Sequence, residues 1–177
     1  MSSTNPVKRH IALIGYRGVG KSSVAEGLHH ALGYPLVDSD SEIVKIAGKS
    51  IPDIFKEDSE DAFRLLESKV IESTCLSDDP VIISTGGGAV MAVRNRELLS
   101  IHSYVILLWA SEDIIFQRIT GDTNRPPLTE LSLREEIHRL LKIRTPQYRS
   151  IKDFEIDCSS EPVDAIVESI VQQIKSR

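Results

Sequence analysis

Five short apolar runs punctuate the chain, at positions 10–15, 35–37, 81–84, 104–109 and 154–157, and amphipathic stretches separate them. Runs this short, bounded by turn residues, read as strands. Strands that alternate with helical patterning predict an α/β fold, a parallel sheet covered by helices on both faces. The helix after the first strand is expected to open near Lys21 and close at Gly33, a residue suited to the left-handed position after a last turn. Apolar residues at helical spacing also mark 60–74 and 133–143, and Pro162 fits the first turn of a last helix reaching about Ile174. The segment 121–131, GDTNRPPLTEL, interrupts this rhythm with polar residues and adjacent prolines, the character of a loop that closes over a site.

With 177 residues and no repeat or linker, the chain is expected to form one domain spanning 1–177. Its formal net charge of −5, with basic residues scattered rather than clustered, argues against nucleic acid or an anionic membrane as partner. Anionic small molecules stay open, because a few focused arginines suffice for them. The first ten residues lack an apolar core, and the longest apolar run, 104–110, is far too short to cross a bilayer. A cytoplasmic, soluble protein is expected, with a monomer as the simplest state. Cys75 and Cys158 lack metal-ligand spacing and read as buried or incidental thiols.

The chemistry begins at "GYRGVGKSS", which matches G-x-x-x-x-G-K-[ST] directly after a strand and at the start of a helix. Glycines let the backbone curl so that N–H groups face phosphate oxygens. Gly18, Val19, Gly20, Lys21, Ser22 and Ser23 are thus the expected nucleotide-binding positions. Lys21 would reach the β and γ phosphates, and the Ser22 hydroxyl would ligate Mg²⁺. No Asn-Lys-x-Asp guanine signature is found, so a phosphotransferase is favoured over a regulatory GTPase.

A kinase of small molecules needs a second pocket. In "LVDSD", extended alternation would turn Asp38 and Asp40 to one side, one holding Mg²⁺ through water and the other accepting a hydroxyl proton. A helix N-cap at Ser39 or Asp40, with no chemistry, is the competing reading. "FRLLE" places Arg64 and Glu67 three apart on a helix face, and Arg144 and Arg125 stand in "IRTPQY" and "NRPPL". Each arginine taken singly would also serve as a solvated surface charge. "STGGGAV" ends the third strand in three glycines, Gly86, Gly87 and Gly88, either a tight turn or a floor for a ligand.

In this order, "GYRGVGKSS", "DSD", "FRLLE", "STGGGAV" and the pair "RPPL" with "RTPQY" resemble the shikimate kinase family from Ile11 to about Ile174. The resemblance implies a three-layer αβα fold of the nucleoside monophosphate kinase type, with strand order 2-3-1-4-5 and a mobile lid at about 121–131. It implies an acceptor-binding helical region at about 39–76. ATP and Mg²⁺ would be served by Lys21 and Ser22, with Asp38 supporting the metal through water and Asp40 contacting the acceptor hydroxyl. Arg64 and Arg144 would bind the shikimate carboxylate, Glu67 would steady Arg64, and Gly86 to Gly88 would present N–H groups to the ring. Arg125 would close on the phosphates from the lid, and Arg118 would stack on adenine.

The implied activity is ATP-dependent phosphorylation of the shikimate 3-hydroxyl in aromatic amino-acid biosynthesis. Its rivals are another small-molecule kinase of the same fold, such as a gluconate kinase, and a nucleotide-binding regulator without turnover. Ser59 stands where the family commonly has glycine, Pro127 follows Pro126 in the lid, and Ser23 and Ala25 replace frequent Thr and Gly. None of these departures removes an expected catalytic group.

Overall fold

A computed structural model describes residues 8–120 and 132–176. Its sheet has five parallel strands in the order β2-β3-β1-β4-β5, the order the resemblance implies. The strands are β1 (His10–Ile14), β2 (Leu36–Asp38), β3 (Ile82–Ser84), β4 (Ser103–Trp109) and β5 (Phe154–Asp157), each within a residue or so of its expected place. Alternation along β1 sorts side chains between two cores. Ile11 and Leu13 join Ile82, Ile106 and Leu108 beneath α1 (Lys21–Leu32), α6 (Glu112–Ile119) and α8 (Val163–Lys175). Ala12 and Ile14 join Ile83, Val105 and Leu107 on the other face, beneath α4 (Glu60–Cys75), α5 (Val93–His102) and the C-terminal end of α7 (Leu133–Ile151), whose N-terminal half sends Ile137 into the first core. Burial on both faces explains why the strands are continuously apolar rather than alternating with polar residues.

Between β2 and α4 the chain forms two short helices, α2 (Ser39–Ala47) and α3 (Ile51–Glu57). They pack on α4 around a third core of Ile43, Ile54, Phe63 and Val70. This small bundle lies within the acceptor-binding region expected at about 39–76.

The helix boundaries follow capping chemistry. Gly33 closes α1 with φ 71°, its N–H on the His29 carbonyl, as its sequence position suggested. The last helix opens after Pro162 and ends at Lys175. α7 departs from expectation: instead of stopping at Ile143 it runs 19 residues to Ile151 with Pro146 inside it. A proline interrupts the helix ladder by removing one N–H. Here the continued burial of Arg144 and Tyr148 against the sheet carries the helix through.

Both cysteines are free and buried, as expected. No helix among the described residues is long and apolar enough to cross a membrane.

Candidate active site

The phosphate loop leaves β1 through Gly15 at φ 144°, where an added β-carbon would lie 2.2 Å from the Leu108 carbonyl oxygen. Only glycine lets the loop pass so close to the end of β4. After Gly20, at φ 103°, the chain enters α1, which has neither a side-chain cap nor an acidic residue in its first turn. The positive end of the helix and its uncapped N–H groups therefore face the loop as an anion site. The Lys21 ammonium, 9% exposed, donates to the Gly15 and Tyr16 carbonyls at 2.9 Å each and so lies over the loop. Ser22 and Ser23 are exposed on the first turn, and Val19 is buried. Arg118, from α6, donates to the Gly18 and Val19 carbonyls at 3.4 and 3.3 Å and to the Cys158 carbonyl at 2.7 Å. It thereby ties the loop to the turn after β5.

Beside this loop opens a second cavity of about 610 Å³, including its solvent-facing mouth. Asp40, Arg64, Gly86, Gly87, Gly88 and Arg144 all line it, so four sequence-distant motifs converge at one place. Ile51, Phe55 and Phe63 give it an apolar wall.

The two aspartates arrive differently from the expected extended alternation. The strand ends at Asp38, which is the N-cap of α2: its Oδ1 accepts from the Ser41 N–H at 2.9 Å and the Ser41 hydroxyl at 3.0 Å. Asp40 already lies in the first helical turn. The cap thus falls one residue before Ser39, because Asp38 accepts readily from the N3 amide. Asp40 enters the pocket and Asp38 does not line it.

On α4, Arg64 donates to Glu67 at 2.8 Å and to Glu60 at 3.1 Å. The Glu67 side chain is 1% exposed, and burial raises its carboxyl pKa while Arg64 opposes the shift. Burial works against the Arg64 charge, but Glu67 and Glu60 outweigh it and the guanidinium pKa lies above its usual value. Arg144 is 8% exposed and has no carboxylate partner among the described residues. It lies 5.7 Å over the Tyr16 ring.

The triple glycine makes close approach possible. A β-carbon on Gly86 would stand 2.6 Å from Glu67 Oε1 and 3.0 Å from Asp40 Oδ1, and one on Gly88 would stand 2.6 Å from Arg64 Nη1. None of the three has a positive φ, so backbone freedom is not what the position requires. The Gly86 N–H donates to the Ser39 hydroxyl at 2.9 Å. It is committed within the protein, which corrects the expectation that it meets a ring.

Three residues escaped the sequence reading. Arg17 lines the pocket and pairs at 2.7 Å with buried Glu136 of α7. Tyr148 donates to the Gly87 carbonyl and fixes the glycine turn from behind; burial raises its hydroxyl pKa strongly. A hint existed for Tyr148 alone, four residues after Arg144 and so on the same helix face, but Pro146 concealed it. The expected lid, 121–131, and Arg125 within it lie outside the described residues.

A phosphate loop on a parallel sheet, facing a pocket with arginines and an aspartate, defines a small-molecule phosphotransferase. Comparison with known proteins narrows this class. The family model described as Shikimate kinase matches residues 17–175. A shikimate kinase of Thioalkalivibrio sulfidiphilus is 38% identical over 161 residues, 91% of this chain and 84% of that one. One of Methylococcus capsulatus is 37% identical over 164 residues, covering 93% and 91%. The solved shikimate kinase of Acinetobacter baumannii, in complex with shikimate, superposes with TM-score 0.90 at 33% identity, covering 97% and 95% of the two chains. The chain belongs to the shikimate kinase family. A gluconokinase of Sinorhizobium meliloti, at 20% identity and TM-score 0.63, shares the fold alone.

Proposed function

We propose that the protein transfers the γ-phosphoryl group of ATP to the 3-hydroxyl of shikimate, giving shikimate 3-phosphate and ADP in aromatic amino-acid biosynthesis. The observation that carries this reading is Arg144, a buried cation with no carboxylate within ion-pair distance among the described residues, only the longer-range influence of Glu67, facing the same pocket as Arg64 and Asp40. A buried charge is costly unless paired, and the carboxylate of the acceptor supplies the pair. The apolar wall of Ile51, Phe55 and Phe63 suits the face of a ring better than an open-chain polyol, which disfavours a gluconate-type acceptor.

In this reading Lys21, the first turn of α1 and the loop around Gly18 to Gly20 hold the phosphates of ATP, and Arg118 flanks the adenine side. Arg64, steadied by Glu67, and Arg144 orient the acceptor by its carboxylate. Asp40 takes the proton of the 3-hydroxyl as its oxygen bonds to the γ-phosphorus and the bond to the ADP oxygen breaks. Positioning and charge neutralisation account for most of the catalysis, because phosphoryl transfer needs little covalent work from the protein. Arg125 would add a cation from the lid.

No group of three or more metal-binding side chains exists among the described residues, which fits an ion held mainly by nucleotide phosphates and water. Ser22 would hold Mg²⁺ directly and Asp38 through water, the ion supplying charge neutralisation at the phosphates. The Asp38 cap engages Oδ1 and leaves Oδ2 for that water.

The test is an ADP-release assay with shikimate, quinate, gluconate and no acceptor. Release dependent on shikimate is the expected result, and equal release with gluconate would overturn the acceptor assignment. Asp40→Asn should lower kcat about a hundredfold or more with the acceptor still bound.

A further inference from the structure

Arg17 belongs to the phosphate loop, yet it lines the acceptor pocket together with Asp40, Arg64 and Arg144. Its Nη2 donates to Glu136 Oε1 at 2.7 Å, in a pair whose carboxylate is 1% and whose guanidinium is 15% exposed. Glu136 sits in the first turn of α7, 119 residues further along, so this contact joins the loop to the helix that also carries Arg144. Glu136 holds one edge of a planar fork with five donors. The guanidinium also lies at the Tyr16 hydroxyl and its Nε–H is buried without a hydrogen bond of standard geometry, so the donors open to a ligand are the N–H groups remaining on Nη1 and Nη2.

The backbone adds to this placement. The backbone N of Arg17 would lie 3.3 Å from a β-carbon on Gly87, which places this residue against the glycine floor of the pocket. The Tyr16 hydroxyl is buried and makes no hydrogen bond of standard geometry. Burial raises its pKa, and the opposing influences come from Arg17 and Arg144, with Glu136 acting the other way. Arg144 lies 5.7 Å over the ring of this same tyrosine, so Arg17 and Arg144, which both line the pocket, border Tyr16. Arg64 differs: its Nε, Nη1 and Nη2 each already donate to Glu60 or Glu67, which leaves one N–H on each Nη for the acceptor.

We propose that Arg17 is a specificity-determining residue, a third guanidinium of the acceptor pocket, locked by Glu136 and donating to the carboxylate end of the acceptor. The inference rests on the functional reading above. Because Glu136 already balances its charge, Arg17 adds directional hydrogen bonding rather than net attraction. A fork held by a buried carboxylate is pre-organised, so lysine should not replace it.

The experiment compares Arg17→Met, Arg17→Lys, Glu136→Gln and the double variant Arg17→Met/Glu136→Gln, with KM and kcat for shikimate and its methyl ester, ATP affinity without acceptor, and thermal midpoints. Arg17→Met should raise KM for shikimate about tenfold with a smaller change in kcat, and should narrow the preference for acid over ester. ATP affinity should stay within about twofold. Glu136→Gln should move KM in the same direction by less, and the double variant should be no worse than Arg17→Met, as expected for residues acting as one unit. Arg17→Lys should not restore KM. Weakened ATP binding with unchanged acceptor KM would make Arg17 a phosphate-loop residue and overturn the proposal, as would a lowered thermal midpoint with unchanged KM. A wild-type protein without shikimate-dependent ADP release would overturn the functional reading and this inference together. A wild type that turns over while Arg17→Met matches it would sink the inference alone.

Discussion

Arg64 and Glu67 sit three residues apart on α4 and form an ion pair of 2.8 Å in which the carboxylate is almost wholly buried. The two partners want opposite things from pH. Burial favours the protonated Glu67 in the folded chain, so its contribution to stability is present below its ordinary value of 4.5 and is lost as pH rises through the raised value. The grip on Arg64 needs the ionised form and strengthens over that same interval. Acceptor affinity should therefore rise with pH above the ordinary carboxylate range while this component of stability falls. Glu67→Gln should raise KM for shikimate about tenfold and flatten the enzyme's share of the pH dependence above the ordinary carboxylate range. An unchanged KM profile in that variant would separate Glu67 from acceptor binding.

The triple glycine leads to a ranking. Gly86→Ala sets a methyl group against Glu67 and Asp40, and Gly88→Ala sets one against the Arg64 guanidinium, each at 2.6 Å from the nearest atom. Gly87→Ala meets its nearest neighbour, the Arg17 backbone N, only at 3.3 Å. The outer two substitutions should raise acceptor KM by about tenfold to a hundredfold through displaced pocket charges, and the central one by less. ATP affinity, titrated without acceptor, should barely move. Equal effects at all three positions would mean that the turn, not the charges behind it, is what the glycines protect.

Ser59 has φ 108° and ψ 165°, the only positive φ outside glycine among the described residues. This region is nearly restricted to glycine, and holding another residue there costs about 1–3 kcal/mol. Its hydroxyl caps α4 weakly, accepting from the Ala62 N–H at 3.3 Å. Ser59→Gly loses a few tenths of a kcal/mol of capping and relieves the strain, for a net gain of about 1 kcal/mol and a melting point higher by about 2–4 °C. Ser59→Ala, which keeps the strain and loses the cap, should melt lower than wild type. A glycine variant that also melts lower would show that the serine conformation is not strained.

His10 is fully buried at the start of β1. The Val81 N–H donates to its Nδ1 at 3.3 Å, so the proton resides on Nε2, which donates to the Cys75 carbonyl at 3.1 Å. Burial lowers its pKa from 6.5, so the fold prefers the neutral ring. Stability from this residue is present above 6.5 and lost as pH falls through the lowered value. Thermal midpoints should therefore drop as pH is lowered below 6.5, and less steeply in His10→Gln. Equal slopes would remove His10 as the source.

Local chemistry was readable where it acts over a few residues. Lys21 opens α1 and Gly33 closes it because a phosphate loop and a left-handed cap are each written in consecutive residues. The pocket residues Asp40, Arg64 and Arg144 were named in advance by motif, though their convergence needed the fold. Asp38 and Pro146 misled for opposite reasons: at Asp38 local capping ended the extended stretch before Asp40, whereas at Pro146 tertiary packing carried the helix past a local breaker. Arg17 and Glu136 were invisible as partners, since nothing across a separation of 119 positions records which carboxylate will face which guanidinium.

The third core, made by Ile43, Ile54, Phe63 and Val70, shares no residue with the two cores that flank the sheet. Helices α2 and α3 can thus loosen from the body as one cooperative unit while the strands and the nucleotide loop keep their packing. Lineages that alter the wall formed by Ile51, Phe55 and Phe63 would change which ring is accepted without disturbing the two cores that flank the sheet, giving the acceptor side its own evolutionary tempo.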